Sequence, residues 1–454
     1  MSAWAAWSEW TGSPVLASRA VAAFSRARSL ELATMFSLVA SLVASIIIAR
    51  AAGSAGRGEI VVLTTWAQLL GWAGGLSIDK ALITRRGGDA ARAGTPLAAG
   101  LSTLLSAGFL TAVGSVLLVG SLLNSPILRV AMPVAVLGTV AFDARAATLL
   151  VQNRWQTYAA LRFAQPVLYL MGCAAAAGLA MVRPALAIGA FGVALCVSLW
   201  LPALLIGGLP RLVFRRLRAA QSRTLFAFAG AYHVGSVLYF INLRADVMMM
   251  PLRFSSADVG IYAVAAATGQ LVVLLGSANL IRGLAGERHP ARLVDRAGLS
   301  IAVVLAGSIA AAAGWMVPLL YGPTFTDVPL PARLLCVSGV LLYVSQGLNG
   351  RLAGSGRPWA TALVNGIGVL TFVVLFPWAD TVVEMACANV TSTAASLFAA
   401  WWLSRHSRTP TREEVPCAYE STAPRSCPDI RPVSRPSRTA SSVGSQPPAN
   451  TNSR

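Results

Sequence analysis

The chain is 454 residues long, 56% hydrophobic and only 12% charged, with a formal net charge of +19. So little polar surface cannot solvate a globular protein of this size, so lipid must cover much of it. Nearly all of the positive charge is arginine, and its distribution along the chain separates a nucleic-acid partner from an orientation signal.

A leader, residues 1–29, comes first. Trp4, Trp7 and Trp10 follow one another at helical spacing within it, which suits a face at headgroup level as well as a disordered segment. The apolar run that begins at Leu30 is too long for a signal-peptide core and lacks a small-residue cleavage site, so it is expected to remain as an anchor. Eleven further runs follow it, and the twelve lie near 30–49, 59–78, 97–123, 127–151, 158–182, 185–209, 224–250, 259–281, 298–320, 330–350, 359–378 and 382–403. Runs of roughly twenty apolar residues cross the ~30 Å hydrocarbon core as helices. Pro133, Asp143 and Arg145 interrupt the fourth, yet removing it would invert the charge pattern of everything downstream.

With the N-terminus in the cytoplasm, the inner connections hold nineteen basic residues, from Arg19 to Arg357, and the outer ones only Arg50, Arg57, Arg183 and Arg253. This bias puts both termini in the cytoplasm and supports an even number of spans. Basic charge therefore reports orientation, and no nucleic-acid partner is expected. The basic loop Arg211 to Arg223 divides the spans six and six. The expected fold is all-α and membrane-integral. An N-lobe (30–209) and a C-lobe (224–404) flank a cytoplasmic linker (210–223). A Ser-, Pro- and Arg-rich tail (405–454) is too polar to pack and is expected to be disordered.

The halves echo one another. Gly58 is followed ten residues later by Gln68-Leu69, and Gly260 by Gln270-Leu271 at the same interval. Leu122-Leu123-Asn-Ser-Pro126 resembles Leu319-Leu320-Tyr-Gly-Pro323, and Asn153-Arg154-Trp155 resembles Gly356-Arg357-Pro-Trp359. Three matches in one order, offset by about 200 residues, suggest a duplicated six-span unit with an axis along the membrane normal.

Several chemistries are excluded. Lys80 lacks both the preceding Gly and the following Ser/Thr of a phosphate loop, and the short connections leave no room for a nucleotide-binding domain. His233, His289 and His406 are too scattered for a metal site, no catalytic triad or carboxylate pair can be proposed, and the six cysteines offer no disulfide framework. No cofactor or metal is expected, and transport is the better class.

A charge at the bilayer centre costs roughly 2.5–3.5 kcal/mol on insertion scales, so each one needs a role or an escape. Glu31, Arg162, Arg333 and Glu384 lie near span ends, close enough to snorkel. Asp143, Arg145, Arg244 and Asp246 lie deeper. Residues two apart on a helix point about 200° apart, so neither Asp143-Ala-Arg145 nor Arg244-Ala-Asp246 neutralises itself. At least one member of each pair should face a cleft, where an Arg would hold phosphate oxygens in a fork, or should fix packing through an interhelical salt bridge. Gln68 and Gln270, mid-span at repeat-related positions, suit a cleft or helix-to-helix hydrogen bonds equally.

Ala49-Arg50-Ala-Ala-Gly53-Ser-Ala-Gly56-Arg-Gly58 resembles a turn of the polysaccharide-biosynthesis flippases, continued by Gly75-Leu76 and Ala81. Arg244-Ala-Asp246 with Ser255-Ser-Ala-Asp-Val-Gly260-Ile-Tyr262-Ala-Val-Ala265 resembles another segment of that family. So do Tyr321-Gly322-Pro-Thr-Phe325 and Gly354-Ser-Gly356-Arg357-Pro358. The similarity spans nearly all of residues 30–404. The family belongs to the multidrug/oligosaccharidyl-lipid/polysaccharide exporter superfamily, so the resemblance implies two six-helix lobes around a central cleft and alternating access. It further implies translocation of a polyprenyl-diphosphate-linked oligosaccharide, or a related glycan precursor, to the outer leaflet of the cytoplasmic membrane. The expected substrate-binding residues are Arg50, Gln68, Asp143, Arg145, Arg244, Asp246 and Gln270, with Arg50 and Arg244 meeting phosphate from the outer side and Arg145 from the inner. Besides this glycolipid and membrane lipids, a glycan polymerase or glycosyltransferases are expected partners. The alternatives are a cation-coupled multidrug exporter of the same superfamily and a non-transporting scaffold for glycan synthesis.

Overall fold

The computed structural model describes residues 14–77, 126–151, 154–206, 219–284, 296–354 and 357–406, together with Gly108, Thr111, Val113 and Gly114. Nearly all of the expected third span, most of the linker, the tail beyond His406 and the three leader tryptophans lie outside the described residues.

Helix α1 runs from Pro14 to Gly74 and breaks at Gly53, with φ 68° and ψ −173°. The break is a reversal. A straight helix would hold Arg57 about 18 Å along its axis from Ser45, yet Arg57 Nη2 donates to Ser45 Oγ at 2.8 Å. Ile48 and Ile60 likewise meet in one apolar cluster. α1 is therefore a hairpin whose limbs carry the first two expected spans, and Gly53 takes the positive φ that a side chain would resist.

The later expected spans appear in order as α2 (Pro126–Val151), α3 (Trp155–Gly178), α4 (Pro184–Ile206), α5 (Ala219–Met249), α6 (Ser256–Leu284), α7 (Arg296–Tyr321), α8 (Pro329–Gly354), α9 (Pro358–Leu375) and α10 (Val382–His406). α2 passes through Pro133 without ending; neighbouring helices make such a proline tolerable in a membrane. No strand occurs among the described residues. Eight helices there are long and apolar enough to cross a membrane, with Leu186–Ser198 a shorter apolar one.

The distribution of burial is inside-out relative to a water-soluble protein. Val304, Leu370 and Trp378 are 67%, 64% and 70% exposed, whereas Ser198, Gln346 and Ser396 are buried. Only a hydrocarbon solvent makes that arrangement favourable. Near the span ends, Arg162 lies over the Tyr158 and Phe142 rings, Arg333 donates to Ala310 O, and Glu384 accepts the N–H groups of Asp380 and Thr381.

Repeat-related positions share local geometry. Arg154 and Arg357 open α3 and α9 with ψ of 64° and 63°. Each N–H donates to a carbonyl five residues back, Leu149 at 2.9 Å and Leu352 at 3.2 Å. One apolar cluster, including Met132, Tyr158, Ile188 and Phe191, belongs to the N-terminal half, and others belong to the C-terminal half. The largest joins the two, packing Ala49 and Val61 of α1 with Val247, Tyr262, Phe325 and Phe372. That join lies at the end of the helices which the charge distribution assigns to the outside, called the outer end below.

Candidate functional site

The halves enclose a cavity of about 250 Å³. On the second limb of α1, Arg57, Val61, Thr64, Thr65 and Gln68 recur at intervals of three and four and so form one helical face along its wall. Ser41 and Ser45 add to it from the first limb, and Gln165 and Tyr169 from α3. Across from them stand Arg244 on α5 and Ala263, Ala266, Ala267 and Gln270 on α6. Three alanines on that face keep the wall recessed.

The charged side chains among the described lining are cationic, with Asp246 close enough to Arg244 to offset part of that charge. Arg244 Nη2 donates to Gln270 Oε1 at 3.0 Å, and Arg57 is held by Ser45. The Nε atoms of both arginines are buried with no hydrogen-bond partner. Among the described residues that line the cavity there is no Asp or Glu, and an ion pair, Arg253 with Asp380 at 2.6 Å, lies at the outer rim. A buried donor left unsatisfied costs roughly 1–3 kcal/mol, more when charged. The cavity thus presents two under-satisfied guanidinium groups beside three glutamines and several hydroxyls, a surface suited to an anion carrying polar substituents.

Contacts between the halves flank the cavity toward both ends. Toward the outer end, the second limb of α1 crosses α6 backbone to backbone: a Cβ at Gly58 would fall on the Ser256 carbonyl oxygen, and one at Gly260 on that of Ser54. Arg50 reinforces this end by donating to the carbonyls of Leu319 at 2.5 Å and Leu320 at 2.7 Å, at the C-terminus of α7, where the helix dipole favours a cation. Toward the inner end, Trp72 packs against Phe240 and Tyr239 with ring centroids 5.2 and 6.4 Å apart.

Of the residues expected from sequence, Gln68, Arg244 and Gln270 come together on the cavity wall. Arg50, on α1, sits outside it against the end of α7, and Asp143 and Arg145 lie on α2, outside the described lining. Asp246 is held within the C-terminal half. It accepts from Tyr262 Oη at 2.6 Å, Asn389 Nδ2 at 2.8 Å and the Val247 N–H at 2.7 Å. Ser338 donates onward to Asn389 at 2.7 Å. Asp246→Ala strands the tyrosine and the amide and is expected to cost roughly 1–3 kcal/mol, read as a lower thermal midpoint of the purified protein. Asp246→Asn keeps an acceptor in place and should cost clearly less; equal losses would rule out this network as the reason for the burial.

Arg57, Gln165 and Tyr169 were missed from sequence. Arg57 had a legible signal: it stands eleven residues before Gln68, three helical turns and about 20° off the same face.

No protein-family model and no curated protein matches this sequence. Solved structures do. A MATE transporter matches with TM-score 0.61 and 12% identity, over 84% of this chain and 96% of that one. The lipid II flippase MurJ, in an inward closed conformation, matches with TM-score 0.60 and 8% identity, over 83% of this chain and 87% of that one. A MOP superfamily transporter from Pyrococcus furiosus, reported for the reverse polarity of its binding pocket, matches with TM-score 0.52 and 12% identity, over 84% and 94%. At such identities the likeness concerns architecture: this chain has the twelve-helix, two-lobe fold found in MATE transporters and MurJ.

Proposed function

We propose that the protein translocates a lipid-linked glycan bearing a diphosphate, such as a polyprenyl-diphosphate oligosaccharide, from the inner to the outer leaflet by alternating access. The observation that carries this reading is the pair of buried, unpartnered Nε atoms of Arg57 and Arg244 in a cavity whose described lining holds no carboxylate. A diphosphate satisfies both guanidinium groups at once, and the glutamines and hydroxyls suit sugar. The fold supports transport, since the two halves meet around the cavity as in the transporters whose architecture it shares.

The sequence resemblance to polysaccharide flippases points the same way. Export of a cationic drug is disfavoured because such a ligand would meet two positive charges and no acid among the described lining residues. The experiment is competition binding to the purified protein. Inorganic diphosphate is expected to bind and a cationic dye to leave it undisturbed; a dye that binds and is not displaced by diphosphate reverses the assignment.

A further inference from the structure

Tyr321, the last residue of α7, is only 3% exposed, and its hydroxyl has no hydrogen-bond partner. The ring packs beside Phe325, with centroids 5.9 Å apart, inside the apolar cluster that joins the halves. A phenylalanine would fill that space without enclosing an unsatisfied polar group, so packing alone does not account for the hydroxyl.

The cluster also fixes what the hydroxyl faces. Ala49 and Val61 of α1 belong to it, and each stands about one helical turn beyond a cavity residue on the same limb, Ser45 and Arg57. The Tyr321 hydroxyl accordingly comes close to the Ser45 side chain and to the Arg57 guanidinium. Arg57 Nη2 is already given to Ser45, but its Nε, like the tyrosine hydroxyl, is buried without a partner, and the two are not bonded to one another. Arg50 steadies the end of α7 against the turn of α1 through the Leu319 and Leu320 carbonyls. Two unused donors, one from each half, therefore stand together at the outer side of the cavity.

We infer that the Tyr321 hydroxyl is a further contact for the diphosphate, donating beside Arg57 Nε to one phosphate oxygen, an inference that rests on the proposed function. A phosphate oxygen accepts both bonds at once and satisfies two atoms that the empty protein leaves unpaired. Arg57 belongs to the N-terminal half and Tyr321 to the C-terminal half, so the shared oxygen ties α1 to the end of α7. The bound anion thereby draws the outer ends together. By reciprocity, diphosphate is held less tightly once those ends part, which suits release to the outside.

The test uses the full-length protein in phosphatidylcholine nanodiscs, with inorganic diphosphate as the probe and Tyr321→Phe as the variant. Loss of one hydrogen bond to a charged group is expected to weaken diphosphate binding about tenfold. The thermal midpoint of the ligand-free variant should stay at the parental value or rise, because the ring is kept and an unpaired hydroxyl is removed. Hydrogen exchange supplies a readout of the link between halves: saturating diphosphate should slow exchange of the backbone amides of residues 322–328 in the parent and clearly less in the variant. If Tyr321→Phe binds diphosphate as tightly as the parent while Arg244→Ala does not, the inference fails and the arginine site stands. A lowered midpoint in the ligand-free variant would make the hydroxyl a structural group and overturn the inference as well. If the parent binds no inorganic diphosphate, the headgroup reading falls, and this inference with it.

Discussion

Arg244→Ala is expected to slow flipping of a prenyl-diphosphate sugar in reconstituted vesicles by about 10- to 100-fold, and Arg57→Ala by a similar factor. A hydrogen bond to a charged group contributes roughly 1.5–3 kcal/mol, and each 1.4 kcal/mol is about a factor of ten. The two losses should combine less than additively, because both groups would grip one ligand that loosens as a unit. Arg244→Lys restores the charge without the planar fork and should recover only part of the rate. Arg50→Ala is the informative contrast. Its guanidinium is already engaged by the Leu319 and Leu320 carbonyls, so diphosphate binding should change by no more than about twofold on the additive behaviour of independent sites. If Arg50→Ala abolishes diphosphate binding and Arg244→Ala leaves it intact, the site has been assigned to the wrong arginine.

The second large effect is expected at the glycine crossing. A methyl group at Gly58 or Gly260 meets a carbonyl oxygen of the partner helix, which cannot swing aside as a flexible side chain would. Overpacking of this kind costs roughly 1–3 kcal/mol, enough to shift a two-state equilibrium by about 5- to 150-fold. The state so disfavoured is the one with the outer ends together. A single cysteine at Thr64, on the cavity wall, should therefore react faster with a membrane-impermeant maleimide applied from outside in either alanine variant. The double variant should add little to either single one, since both methyl groups relieve themselves by the same separation. Unchanged labelling in all three would mean that the crossing does not gate the cavity.

Much of this architecture was legible in the sequence. The apolar runs mark the spans because hydrocarbon demands them, and Gly53 within the first turn marks the reversal of α1. The paired intervals Gly58 to Gln68 and Gly260 to Gln270 became a matched geometry, with the glycines touching and both glutamines on one cavity. Arg244 and Asp246 take different partners, Gln270 for the arginine and Tyr262 with Asn389 for the aspartate.

What was not legible depends on which helix ends up beside which. Arg50 reads as a phosphate contact on the outer side, and nothing in the sequence shows that α7 brings its C-terminal carbonyls alongside it. At least one of Asp143 and Arg145 is expected to face a cleft or to fix packing; both lie on α2, and the described lining of the cavity comes from α1, α3, α4, α5 and α6. Arg57 was counted only as an orientation charge, although its phase relative to Gln68 puts it on the cavity face. A tally of charges by loop discards the angular information that would have found it.

The central claim is that an anionic headgroup, not a cation, passes between the two halves. The direct measurement is a sidedness assay in vesicles holding the purified protein, with a labelled prenyl-diphosphate sugar on one leaflet and a cationic dye in the lumen. The account predicts that the glycolipid appears on the opposite leaflet in a protein-dependent manner and that the dye stays where it was loaded. Movement of the dye with the glycolipid left in place would contradict it.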